Sequence, residues 1–206
     1  MISSVSIPRI SLTTFVDFLV APSNKRMRVV REAKEQYSQD YEPFRDYWKH
    51  LRDRIIEMHQ KGETPQVLDR FLASMKNGRK DENYAKCVAA YKKWLGRKNA
   101  RWIGTDSFDW QGPGLVVGVN PELGLDLKGN RHSIKLYFRS DKLSSYRVQT
   151  TVGLLSLART PARGALIPAI LDVPNGKMHT GTPRAEGIAD TLEVEAIAFR
   201  EFWNRL

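Results

Sequence analysis

Six lysine and arginine side chains lie close together in a stretch of the sequence that contains no acid. They are Lys86, Lys92, Lys93, Arg97, Lys98 and Arg101, and no Asp or Glu occurs between Asn83 and Trp102. Cations in such a run can replace the counterions along a phosphate backbone. Trp94 and Trp102 lie in the same stretch, where an indole ring can either stack on a nucleobase or pack in the interior. The pattern favours nucleic acid as a partner.

The positive charge is unevenly distributed along the chain. The 206 residues include 33 Lys and Arg against 23 Asp and Glu, which gives a net charge of +10. Residues 25–100 account for +8 of this charge and residues 101–206 for +2. A clustered excess attracts polyanions, although a solvated helical surface is the ordinary alternative. Because 41% of the residues are hydrophobic, the composition excludes wholesale disorder.

The residue types used by the common catalytic sites do not occur at productive spacings. Cys87 is the only cysteine, so an internal disulfide is excluded, and its place on an apolar helical face predicts a core residue. His50, His59, His132 and His179 show no metal-ligand spacing. No P-loop, nucleophile elbow or dinucleotide fingerprint is present. We therefore expect no cofactor and no metal, and the sequence favours a protein that is not an enzyme.

The first half of the chain shows the helical period of apolar residues. Four segments show it: residues 26–37, residues 44–59, a segment opened by Thr64-Pro65, and residues 81–95, ended by Gly96. A short helix over residues 11–20, with Ser11 as N-cap, precedes them. We therefore expect a basic helical module of about four helices over residues 1–100.

The second half alternates between strand and helix signals. The predicted strands cover 115–119, 123–127, 134–138 and 165–173, followed by a hairpin at Asn175-Gly176. Pro168 predicts an edge strand or a bulge. The predicted helices run from Ser144 to about 158, with Ser140-Asp141 as an alternative start, and from Asp190 to the C-terminus. Residues 101–206 should thus form a mixed α/β module in the order αβββαββα, with a small, largely antiparallel sheet of about five strands. Packed on the helical module, it would make one compact α+β unit.

The order of elements over roughly residues 80–173 resembles the αβββαβ core of the PD-(D/E)xK nuclease superfamily. That resemblance implies an acid on the second strand and an acid-x-Lys motif on the third, which together hold Mg²⁺. The nearest matches are Asp126 and Ser133-Ile134-Lys135, with Glu122 as a possible substitute from the preceding turn. Ser133 stands where the third-strand acid belongs, and a hydroxyl is a poor ligand for a hard cation. The resemblance therefore implies either a degenerate, non-catalytic member or a Mg²⁺-dependent nuclease.

Three functional hypotheses remain, and the first leads. The first is a non-catalytic, nucleic-acid-associated protein, the second a protein-interaction module or adaptor, and the third the nuclease. The apolar stretch of residues 15–21 is interrupted by Asp17 and is too short to span a bilayer. We expect no membrane partner and a cytoplasmic location.

Overall fold

The computed structural model describes residues 7–38, 46–75, 78–157, 166–181 and 185–206. The helices of these residues are α1 (Leu12–Val20), α2 (Ser23–Ser38), α3 (Lys49–Gln60), α4 (Gln66–Ser74), α5 (Gly78–Leu95), α6 (Ser145–Ser156) and α7 (Ala185–Arg205). The strands are β1 (Arg9–Ser11), β2 (Ala100–Trp102), β3 (Phe108–Gly112), β4 (Leu115–Val119), β5 (Leu123–Leu127), β6 (Asn130–Tyr137), β7 (Ile167–Asp172) and β8 (Lys177–Thr180). The α+β fold class is confirmed.

The described strands form two sheets. The larger has the order β2-β5-β6-β7-β8, and the smaller has the order β1-β4-β3. In the larger sheet β6 and β7 run parallel, because the chain crosses over between them through α6, and the other pairs are antiparallel. The turn at Asn120-Pro121 separates the two sheets, so β4 and β5 are neighbours in sequence but not in a sheet.

The buried apolar residues that the structure describes form two large cores and a small third cluster of Tyr137, Leu143 and Ile170. In the first, α3, α4 and α5 cover one face of the larger sheet, which presents alternate residues such as Leu123, Leu125 and Leu127. In the second, α1, α2 and α7 pack with β4, and α6 contributes Leu154 and Leu155. Each core draws residues from both sides of residue 100.

The caps at Ser11, Ser144 and Gly96 are confirmed. The Ser11 hydroxyl accepts the Thr14 N–H, and the Ser144 hydroxyl accepts the Arg147 N–H. Gly96 follows α5 with φ +45°, the left-handed conformation that ends many helices. The N-cap predicted at Thr64 is wrong, because Pro65 occupies the N-cap position of α4. The helix predicted from Asp190 starts earlier, at Ala185.

Pro168 is the other point at which the structure differs from the sequence pattern. The proline suggested an edge strand, yet β7 lies between β6 and β8. The β8 pairing ends at Ala169, opposite Thr180, so the missing N–H of Pro168 lies beyond that ladder. For the helix predicted over 44–59, residues 44–45 lie outside the described residues and α3 begins at Lys49.

Candidate nucleic-acid interface

Helix α5 separates an apolar face from a basic one. Tyr84, Cys87 and Tyr91 lie on the inner face and are buried. Lys86 and Lys93 are exposed and seven residues apart, which places them on one outer face of the helix. Arg97 follows Gly96 and is also exposed. Among the described residues, no hydrogen bond or ion pair engages the side chains of these three cations.

The other three cations of the acid-free stretch have partners. Lys92 Nζ lies 2.5 Å from an Oδ atom of Asp69 on α4. Lys98 donates to the carbonyl oxygen of Trp94 and lies 5.3 Å from the centre of that ring. An Nη atom of Arg101 lies 2.9 Å from Asp126, but the Arg101 side chain is 76% exposed. An exposed pair of this kind holds its partners weakly.

Asp126 lies between two arginines on one face of the larger sheet. The pairing of β2 with β5 places Arg101 opposite Asp126, and the pairing of β5 with β6 places Arg131 opposite Asp126 from the other side. The hydrogen bond from Arg101 lowers the pKa of Asp126, and the Gly129 N–H and the Arg131 charge act in the same direction. Lys128 is exposed in the turn that follows β5.

These cations belong to three elements that follow one another around the edge of the larger sheet: the end of α5, β2 and the β5–β6 turn. Arg101 and Arg131 lie on the sheet face opposite the one that α5 covers, because their neighbours Ala100 and Trp102 face the first core. We call this surface the basic corner and define it by Lys93, Arg97, Lys98, Arg101, Lys128 and Arg131. Lys86 lies about two turns back along α5. The charge run in the sequence contains four of the six corner residues. Lys128 and Arg131 flank the Gly129-Asn130 turn, and only the strand register brings them to Arg101.

Neither tryptophan of the acid-free stretch stands free on the surface. Trp94 is buried at 6% exposure, with its ring 5.4 Å from that of Tyr91. Trp102 is partly buried and packs against the first core. The packing alternative is therefore confirmed, since both rings are committed to the protein.

The structure brings Lys135 to Glu122 and not to Asp126. Lys135 Nζ lies 2.5 Å from Glu122 Oε1 and 3.0 Å from the Asn120 carbonyl oxygen. The other oxygen of Glu122 accepts the Leu136 N–H at 2.8 Å. Asp126 is four residues further along β5, which corresponds to about 13 Å of extended strand.

The residues at this place do not fit a Mg²⁺ centre. Both carboxylate oxygens of Glu122 accept hydrogen bonds, and those of Asp126 are taken by Arg101 and the Gly129 N–H. Ser133 lies opposite Gly124 and contributes no carboxylate. Among the described residues, no three His, Cys, Asp or Glu side chains lie close enough together to hold a metal ion.

The strand order differs from the one on which the resemblance rested, because β4 (Leu115–Val119) lies in the smaller sheet and does not pair with β5. In the larger sheet the strands β2, β5, β6 and β7 are neighbours in that order, and α6 connects β6 to β7. The strands β3 and β4 lie between β2 and β5 in the sequence but belong to the smaller sheet. No family model, no curated protein and no solved structure matches the chain. Within the described part of the chain, no helix has both the length and the apolar character required to cross a membrane. The functional inference therefore rests on the residues of this chain.

Proposed function

We propose that the protein binds nucleic acid without catalysis, by placing the phosphate backbone on the basic corner. The observation that carries the proposal is the exposure of Lys86 and Lys93 along one side of α5 and of Arg97 just after it, with no ion pair to any described carboxylate. Arg101 and Lys128 continue the positive charge around the edge strand β2, with Arg101 on the sheet face opposite α5.

The electrostatics of this surface suit a phosphate backbone. Asp126 lies between Arg101 and Arg131, and its lowered pKa keeps it ionised, so it offsets one of these positive charges. Lys93, Arg97 and Lys128 are exposed and therefore interact weakly with distant single charges in physiological salt. A polyanion differs from a single charge, because each cation that meets a phosphate releases a condensed counterion.

The Glu122–Lys135 pair argues against a role of Lys135 in hydrolysis. The Lys135 ammonium donates to a carboxylate and a backbone carbonyl, and its side chain is 15% exposed. A lysine held in this way attaches the turn that precedes β5 to strand β6, so its role is structural. We therefore place the contact with nucleic acid at the basic corner and not at Lys135.

The experiment that tests the proposal is a binding titration at low salt with short labelled DNA and RNA, single-stranded and duplex, followed by fluorescence anisotropy. The test variant is Lys93→Glu/Arg97→Glu. The matched control is Lys25→Glu/Arg31→Glu, which changes the net charge equally at two exposed positions of α2. We expect the corner variant to bind at least about tenfold more weakly and the control to bind within about twofold of the wild type.

Two results would overturn the proposal. One is the absence of binding to every nucleic acid at low salt. The other is an equal loss of affinity in both variants, which would show that net charge and not the basic corner is responsible. Thermal unfolding of both variants checks that neither substitution pair disturbs the fold.

A further inference from the structure

A cavity opens beside the basic corner, between the C-terminal ends of α3 and α5. Its volume is about 240 Å³. Met58, Pro65 and Leu95 give it apolar walls, and His59, Glu63 and Asn99 add polar groups. Pockets for drug-sized ligands span roughly 300–1,000 Å³, so this cavity suits a single ring system.

The buried pair of His59 and Tyr91 defines which hydrogen-bonding group the cavity offers. His59 Nε2 lies 2.5 Å from the Tyr91 hydroxyl, and Tyr91 is fully buried. No other described group bonds to that hydroxyl, so its proton must go to Nε2, because a buried donor left unsatisfied costs about 1–3 kcal/mol. The neutral imidazole then carries its own proton on Nδ1. His59 therefore adds one N–H donor to a lining that also includes Glu63, Thr64 and Asn99.

The loop of residues 96–100 connects the cavity to the basic corner. Gly96, Asn99 and Ala100 line the cavity. Arg97 and Lys98 lie within the same loop and belong to the basic corner. Gly96 and Asn99 both adopt left-handed backbone conformations, with φ of +45° and +48°. These two backbone bends define the short loop, which contributes residues both to the cavity and to the basic corner.

We propose that this cavity takes one unpaired nucleobase of a strand whose phosphates lie on the basic corner. The inference rests on the proposed function and adds the ligand class, which is a nucleotide unit with an accessible base. A nucleobase is a single planar heterocycle with hydrogen-bond acceptors for the His59 N–H. The Glu63 carboxylate is already paired with Arg54, with Nη1 and Oε2 2.7 Å apart. The phosphate of the nucleotide would meet Arg97, which is exposed in the loop that lines the cavity. A duplex would offer only its backbone, since its bases are paired and stacked.

The test compares single-stranded DNA of about 12 nucleotides with an abasic oligonucleotide of the same length and number of phosphates. The affinity of each is measured for the wild-type protein at the same salt concentration. We expect the strand with bases to bind about tenfold more tightly, a gain that corresponds to about 1.4 kcal/mol. Adding a free nucleoside monophosphate in excess should remove this gain without displacing the abasic strand.

A pair of variants assigns the gain to the cavity. The double substitution His59→Leu/Tyr91→Phe removes the donor together with its partner, so that no buried polar group is left unsatisfied. Tyr91→Phe alone serves as the control, because it keeps the imidazole. We expect the double variant to bind both oligonucleotides equally, and the single variant to keep most of the preference for bases.

The possible outcomes separate this inference from the proposed function. Equal affinity of the wild type for both oligonucleotides would overturn the cavity inference and leave backbone binding intact. A preference for bases that survives in a folded double variant would place the base elsewhere and also overturn it. Failure of both oligonucleotides to bind would overturn the proposed function itself.

Discussion

At the level of single residues, His59 links a buried hydrogen bond to the pH dependence of stability. Burial lowers its pKa to about 4 from an ordinary value of 6.5. Between these values the unfolded chain binds more protons than the folded one, so this contribution to the free energy of unfolding rises with pH. It is fully present above about pH 6.5 and is lost as the pH falls towards 4, over a total of about 3 kcal/mol.

We predict that His59→Leu/Tyr91→Phe removes this part of the pH dependence. Urea unfolding at several pH values between about 4.5 and 7 measures the slope for the wild type and the variant. The wild type should lose more stability on acidification. Only the wild type has an imidazole that stays neutral in the folded state and takes up a proton when the chain unfolds. Identical slopes would show that His59 is not a buried neutral imidazole.

The second prediction at this scale concerns the Glu122–Lys135 pair. Both side chains are mostly buried, at 12% and 15% exposure. Glu122→Gln leaves the ammonium without a counter-charge, so we expect the free energy of unfolding to fall by about 3 kcal/mol. The double variant Glu122→Gln/Lys135→Met should recover much of this loss, because it removes the orphaned charge. A loss below about 1 kcal/mol for Glu122→Gln, measured by urea unfolding, would mean that the pair behaves like an exposed one.

At the level of elements, the sequence predicted the strands that are buried or joined by a recognisable turn. The Val-rich β4 and the alternating β5 were predicted with their observed bounds, and β8 followed from the Asn175-Gly176 turn. The strands that it missed, β1, β2 and β3, are all edge strands of their sheets. An edge strand of three to five residues buries too little on one face to produce a clear alternation.

One close approach between elements gives a sharp prediction. A Cβ atom added to Gly124 on β5 would lie 1.6 Å from the carbonyl oxygen of Gly104, in the segment between β2 and β3. Gly124→Ala therefore requires the backbone to move, and we expect it to destabilise the fold by about 3 kcal/mol or more.

The matched control for this prediction is Gly187→Ala on α7. No atom lies within 4 Å of the Cβ that would be added there, and Gly187 is helical. We expect that substitution to stabilise the protein by about 0.5–1 kcal/mol, because alanine favours the helix. Thermal or urea unfolding of both variants measures the difference. Equal small effects would contradict the close packing of residues 103–107 on β5.

At the level of the whole molecule, a network of charged side chains links α1, α6 and the segment that follows β6. Asp17 on α1 accepts hydrogen bonds from Arg139, which follows β6, at 2.9 Å and from Arg147 on α6 at 2.7 Å. Arg147 is buried, and its guanidinium lies 5.7 Å from the centre of the Tyr137 ring. This network joins elements of both cores. No local pattern in the sequence predicts it, because more than 120 residues separate Asp17 from each arginine.

The candidate site also depends on contacts between residues that are distant in the sequence. The acid-free run pointed to the six cations by composition alone, since a cluster of charge is visible in any sequence. Which of them have partners depends on tertiary contacts, as the pair of Lys92 with Asp69 shows. The addition of Lys128 and Arg131 depends on strand register, which the sequence did not define.

The central claim is that phosphates lie on the basic corner, and the salt dependence of binding tests it most directly. For a single strand, the logarithm of the binding constant falls with the logarithm of salt concentration by about 0.7 for each phosphate neutralised. Removing two of these contacts in Lys93→Ala/Arg97→Ala should therefore reduce the magnitude of the slope by about 1.4. Lys25→Ala/Arg31→Ala should leave the slope at the wild-type value. A wild-type slope in the corner variant would contradict the claim.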